Sequence, residues 1–201
     1  MDFASQNLTA GQLNAIVKKL GGEEGAMRFL RDEIVVKVAE RTFTTWRTLK
    51  LGTGLTTASD FRMALNKANC QIGHWANDIL GQPAFTASVI VSEAPVNLVI
   101  ASVAELGFKN GATCLDIYNR AKKLGLELCP AEVGPQLRLQ YVDQPLNEWL
   151  IIAIEPISDS DGGLRVFGVD RSDDGLWLSS HDGSPRIFWD DDRRFVFVSR
   201  K

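Results

Sequence analysis

The chain has 201 residues, 45% of them hydrophobic and 23% charged, proportions average for globular proteins that argue against disorder. A formal charge of −3 excludes a strongly basic nucleic-acid binder. The charge is uneven, since residues 1–70 balance at +3 while 71–150 and 151–201 each balance at −3.

In chain order, Thr9 reads as a helix N-cap, and Gln12 three residues on completes a capping box. Leu13, Ile16, Val17 and Leu20 then fall on one stripe, and Gly21-Gly22 stops the helix. A second helix is predicted over 23–31, with Glu23 and Glu24 in its first turn. A strand-like stretch, 34–38, closes this front hairpin. Residues 43–51 alternate poorly and end in a loop at Gly52-Thr-Gly54. Thr56 or Thr57 caps a third helix that shares Phe61, Ala64, Leu65 and Ala68 on one face. A fourth helix is expected over 72–80, closed by Gly81 and Pro83, where a boundary between regions is placed.

Two strands are expected next, 87–91 and 96–103, around a turn at Pro95. An amphipathic helix follows over 112–124, with Lys122 and Lys123 in its last turn and Gly125 behind it. Residues 126–129 read as a short strand and 132–141 as a helix broken at Gly134-Pro135. The stretch 149–178 is the centre of the reading. Its apolar run 149–155 marks a strand covered on both faces, ended by Pro156. Two acidic turns, Asp159 to Gly163 and Asp173 to Gly175, then join it to alternating strands in an antiparallel meander. A last hairpin is expected between 186–189 and 195–199, across Asp190 to Asp192.

Cys70, Cys114 and Cys129 are an odd count without CxxC spacing, which fits a reducing compartment rather than a disulfide or zinc framework. The first residues show no basic or apolar leader, and no apolar stretch is long enough for a membrane span. The cytoplasm is the expected location.

The phrases WRTLKLGTGLTTASDFRMAL (46–65), IGHWANDILGQPAF (72–85), VAELGFKNG (103–111), LGLELCPAEVGPQLRLQY (124–141), WLIIAIEPISDSDG (149–162) and VFGVDRSDDGLWL (166–178) are distinctive. Together they resemble an uncharacterised family of short bacterial proteins from ultra-small-genome bacteria. The leading LTAGQLNAIVKKLGGEEGAMRFLR resembles a front module of that family. The resemblance spans nearly the whole chain and implies no activity, cofactor or catalytic residue.

Five constellations carry possible chemistry or binding. Asp159, Asp161, Asp170, Asp173 and Asp174 are hard oxygen ligands for a divalent cation. Neither turn has EF-hand spacing, however, and hairpin turns call for Asp and Gly in any case. Cys70, His74 and Asp78 lie at i, i+4 and i+8, which on an unbroken helix would stack a thiol, an imidazole and a carboxylate. Gly73 interrupts that helix, and the plainer reading is a buried cysteine beside two surface groups. Glu155 ends an apolar strand, so it is either a buried acid–base group or a residue at the strand's exit paired with Arg138 or Arg165. Lys18, Lys19, Arg28, Arg31 and Lys37 on the front helices can meet phosphates, but Glu23, Glu24, Asp32 and Glu33 oppose them. Trp149, Trp177, Trp189, Phe188 and Phe195 gather in the last third, as core or as a docking face.

The fold expected is α+β: a helical N-terminal region, 1–82, then a mostly antiparallel sheet, a β-meander, with one or two packed helices over 83–201. The function expected is that of a non-catalytic cytoplasmic interaction or regulatory protein, its partner a protein before a nucleic acid. No cofactor, metal or membrane is called for. The rivals are a DNA- or RNA-binding regulator working through the front helices, and an acid/base or metal-assisted hydrolase using Glu155 and the acidic turns.

Overall fold

Thr9 opens the first helix as its spacing predicts: its hydroxyl accepts from Gln12 N at 3.3 Å, and Thr9 N donates to Gln12 Oε1 at 2.8 Å. The computed structural model describes residues 8–35 and 42–199. The chain divides into two units, Met1–Arg41 and Thr42–Lys201. In the first, helix α1 (Ala10–Lys19) turns through Gly21, at φ 98°, into helix α2 (Gly22–Leu30). The left-handed turn suits glycine because no Cβ obstructs it. Glu33 caps the end of α2 with ion pairs to Arg28 at 3.5 Å and Arg31 at 3.7 Å. No residue of either helix is buried. Of the expected strand 34–38, Ile34 and Val35 belong to no regular element, and the rest lies outside the described residues, as does Lys37.

The second unit is α+β, and its elements follow in chain order. They are strand β1 (Arg47–Leu51), helix α3 (Ala58–Lys67), strand β2 (Cys70–Ile72), helices α4 (His74–Leu80) and α5 (Pro83–Ala87), and strand β3 (Ala94–Ser102). Then come β4 (Ala112–Thr113), α6 (Cys114–Lys123), β5 (Leu126–Glu127), α7 (Val133–Gln140) and β6 (Trp149–Ile152). The chain finishes with β7 (Ile157–Ser158), β8 (Leu164–Ser172), β9 (Gly175–Asp182), β10 (Phe188–Trp189) and β11 (Arg194–Ser199). Thr57, not Thr56, caps α3, in a box with Asp60.

Nine strands form one sheet along the path β1-β3-β11-β6-β8-β9-β2, with β5 on β11 and β7 on β8. The expected meander is its local core, β6-β8-β9, joined by the two acidic turns. The sheet as a whole is mixed rather than a mostly antiparallel meander, because β11 runs parallel to β6 and β2 parallel to β9. It curls into a half-barrel around α7, which packs on β1, β8, β9 and α3. Gly134 permits that approach, since a Cβ there would lie 2.6 Å from the Phe167 ring. Phe167, Phe85 and Phe61 meet edge to face beneath the helix, at 5.8 and 5.4 Å between centroids.

Several expectations give way to longer-range pairing. Residues 47–51 form a strand despite poor alternation, because Leu49 and Leu51 are buried while β3 supplies the ladder. The helix expected over 72–80 begins only at His74, for Cys70 to Ile72 join β9 and Gly73 is extended. Residues 87–91 are not a strand: Pro83 starts α5, which runs to Ala87. The final hairpin is absent, since β10 pairs with β4 and β11 lies between β3 and β6. Phe195, Val196 and Phe197 are all buried, so β11 needs neighbours on both sides. Gly81 and Pro83 lie inside the second unit, in which β1 and β2 end the sheet.

Candidate functional site

The acidic turns serve the backbone. Asp159 has a fully buried carboxylate that accepts from Asp161 N at 3.0 Å, Gly163 N at 2.7 Å and Arg165 Nε at 2.8 Å. The Arg165 bond first, and those backbone amides after it, hold its pKa below the ordinary value. Asp161 is exposed, and exposed Asp173 and Asp174 form the tip between paired Ser172 and Gly175. Among the described residues no group of three or more His, Cys, Asp or Glu is placed to hold a metal ion.

Cys70, His74 and Asp78 do not assemble. Cys70 is buried on β2, its thiol pushed up by burial and bonded weakly to Ala68 O at 3.7 Å. His74 opens α4 with its ring edge-on to Trp75, at 4.8 Å between centroids. Asp78 faces the first acidic turn, accepting from Ser160 N at 3.3 Å, from the Ser160 hydroxyl and from Gln82 Nε2 at 2.8 Å. These bonds lower its pKa and staple the turn to α4. Two candidate groups thus meet, in a joint rather than a reactive centre.

Glu155 is exposed beside a cleft of about 330 Å³ that Lys122, Leu126, Glu127 and Leu128 also line. Its expected partners are engaged elsewhere. Arg165 pairs with Asp159 and lies 4.5 Å over the Trp75 ring. Arg138, fully buried, donates to Tyr141 O, to Gln144 Oε1 and to Asp170 O at 3.2 Å. All three thiols are held protonated by burial, Cys114 up to about 11 and Cys129 higher still, so none is a ready nucleophile.

A polar cluster lies elsewhere, on the face of β8 and β9 that carries Gly168. Gly168 pairs with Ser179, Val166 with His181 and Asp170 with Trp177, so Asp170, Ser179 and His181 share that face. A Cβ on Gly168 would lie 2.6 Å from both Ser179 Oγ and His181 Nε2, so the missing side chain makes room for both groups. Asp170 Oδ1, Ser179 Oγ, His181 Nε2 and nearby Trp189 Nε1 are buried without a hydrogen-bond partner. Trp149 stacks on His181 at 6.1 Å and Trp189 meets it edge-on at 5.9 Å. The Arg193 guanidinium also lies 4.2 Å from the Trp149 ring centroid. Burial raises the Asp170 carboxyl, against the pull of Ser179, His181 and Arg138. Burial also lowers His181, with Arg193 adding to the effect and Asp170 opposing it. Ser179 is close enough to favour the Asp170 anion, yet the pair lacks hydrogen-bond geometry.

Trp149 and Arg193 continue into a cleft of about 440 Å³ at the start of β6 and β11, where Arg194 pairs with Glu148 at 2.8 Å. Tyr141 donates to the same carboxylate at 2.7 Å. Unpaired donors and acceptors beside such a cleft are suited to holding a small polar ligand or passing a proton. The signal in the sequence was G-x-D facing S-x-H, readable only once β8 and β9 are in register. Counting Asp170 among turn residues hid it, since it lies within β8. Of the late aromatics, Phe195 is core, whereas Trp149 and Phe188 are 46% and 56% exposed.

Comparison with protein-family models, with curated proteins and with solved structures found no match to this chain.

Proposed function

We propose that this chain is a non-catalytic interaction protein of the cytoplasm, whose front hairpin docks its apolar stripe on another protein. One observation carries the reading: no residue of α1 or α2 is buried, and Leu13, Ile16, Val17, Met27, Phe29 and Leu30 are all exposed, Leu30 at 73%. Helices of 10 and 9 residues gain little from propensity alone and depend on burying such a face. A contiguous apolar surface of that kind marks an interaction site. A protein suits it better than a nucleic acid, because residues 8–35 carry four basic and four acidic side chains. The three buried free cysteines agree with a reducing compartment, and among the described residues no helix is long and apolar enough to cross a membrane.

The test is binding of a hydrophobic dye to the intact chain, compared with Ile16→Glu and Leu30→Glu variants. At concentrations low enough to keep the chain monomeric, dye bound by the native chain and lost from both variants is expected; a monomeric native chain that binds none sinks the reading. A nucleic-acid titration at low salt runs beside it and should stay flat. A second reading, an acid–base site at Asp170 and His181, is favoured by the unpartnered polar atoms around Gly168. It calls for a turnover that His181→Gln abolishes.

A further inference from the structure

We infer that the occupant of the hairpin stripe is a second copy of this chain, two hairpins associating about a twofold axis as a four-helix arrangement. The inference rests on the docking role proposed above and names its partner. The charge pattern carries it. Lys18 and Lys19 close α1, Glu23 and Glu24 open α2, and only the Gly21-Gly22 turn and its flanks separate the two pairs. Among the described residues these four make no ion pair, whereas Arg28, Arg31 and Glu33 at the far end of α2 already satisfy one another. The tip therefore presents a basic patch beside an acidic patch of equal size.

Such a surface is self-complementary. Under a twofold axis each contact occurs twice, so the lysines of one copy meet the glutamates of the other and the reverse. A partner of uniform charge would gain at one patch what it lost at the other. The apolar pattern has the same consequence. Leu13, Ile16 and Val17 run exposed along α1 at helix-packing spacing, with half-buried Leu20 capping its end, while Met27, Phe29 and Leu30 supply a second exposed set on α2. Two hairpins enclose a core that one cannot, which is how short helical pairs commonly become stable.

Sedimentation and light scattering of the full chain over a concentration series give the first readout, with dimer expected. Two variants then address the interface itself. Lys18→Glu/Lys19→Glu makes the tip wholly acidic, and Glu23→Lys/Glu24→Lys makes it wholly basic. Each variant alone should self-associate more weakly, on the order of tenfold, as lost exposed ion pairs and added like-charge contacts imply. An equimolar mixture should recover association as a heterodimer. A carbodiimide cross-link from Lys18 or Lys19 of an isotopically light copy to Glu23 or Glu24 of a heavy copy would place the contact directly. A chain that stays monomeric at every concentration overturns the second-copy inference, as does a dimer indifferent to both variants. A monomer whose stripe still binds the hydrophobic dye leaves the docking role standing with another occupant; a monomer that binds none removes both.

Discussion

The side-chain amide of Gln140 holds both backbone groups of Lys50: Lys50 N donates to Gln140 Oε1 at 3.2 Å, and Gln140 Nε2 donates to Lys50 O at 2.8 Å. Gln140 thereby stands in for a further strand beside β1, the end strand of the sheet. It is one of a row. Gln136 donates to Thr53 Oγ1 at 2.6 Å, and Glu132 accepts from Gly52 N at 3.0 Å and Ile90 N at 2.9 Å. Glu132, Gln136 and Gln140 recur every four residues, so one side of α7 closes an edge that would otherwise invite pairing with another chain.

Gln140→Met keeps the length of the side chain and removes both Lys50 bonds, together with the one that Gln140 Nε2 donates to Gln136 Oε1 at 3.1 Å. We expect a loss of about 1–3 kcal/mol in urea unfolding, the usual cost of a few partly exposed hydrogen bonds. The amide of Lys50 should exchange faster with solvent, and the variant should aggregate more readily. Unchanged exchange at Lys50 would show that the edge is closed by something else.

Gly134→Ala tests the contact between α7 and β8. The new methyl would lie 2.6 Å from the Phe167 ring, closer than carbon atoms approach, and Phe167 is fully buried with no room to retreat. Overpacking of this kind costs about 1–3 kcal/mol, outweighing the gain in helix propensity of about 1 kcal/mol that alanine brings over glycine. Adding Phe167→Leu should recover part of the loss. If the double variant is weaker than the sum of the single ones, the clash is not what destabilises.

How much of this was legible in the sequence depended on range. The Thr9–Gln12 cap, the Asp159 turn and the β6-β8-β9 meander are set by residues a few positions apart, and turn chemistry reads them directly. Cys70 to Ile72 became a strand only because Leu176 to Leu178 lie beside them, a partner that no local period reveals. The same holds for β11, whose neighbours are β3 and β6 rather than the adjacent β10. The site near Gly168 was hidden for a related reason, since strand register alone brings Asp170, Ser179 and His181 to one face. Glu132 and Gln136 read as ordinary helix residues until the curl of the sheet buries them.

Asp159→Asn should remove an acid-dependent part of the stability. The folded carboxyl titrates below its ordinary 3.8, chiefly through Arg165 and then through the turn amides. A depressed folded pKa contributes stability above the unfolded value and loses it as pH falls toward the folded one. Wild type should therefore weaken relative to Asp159→Asn as pH drops below about 4. At neutral pH the variant should be the less stable of the two. Parallel curves across the acid range would mean that Arg165 and the turn do not hold the anion.

Asp170→Asn is expected to act in the opposite sense. Burial raises the Asp170 carboxyl in the folded state, so ionising it opposes folding, and that cost is complete only above the raised pKa. Asparagine keeps the shape, carries no charge and can donate toward Ser179 Oγ or His181 Nε2, both unpartnered in the native chain. We expect the variant to be more stable than wild type at neutral pH by about 1 kcal/mol, the scale of one buried polar group left unpaired. The advantage should vanish in acid, where wild-type Asp170 is protonated. His181 gives an independent readout: its folded pKa is already lowered by burial, and the Asp170 anion is the group that pulls it back up. Without that anion, NMR should find the imidazole titrating lower still, so the loss of stability below its ordinary 6.5 extends further into acid. A variant that is weaker at neutral pH, with His181 unmoved, would mean that the carboxylate attracts its neighbours more strongly than burial penalises it.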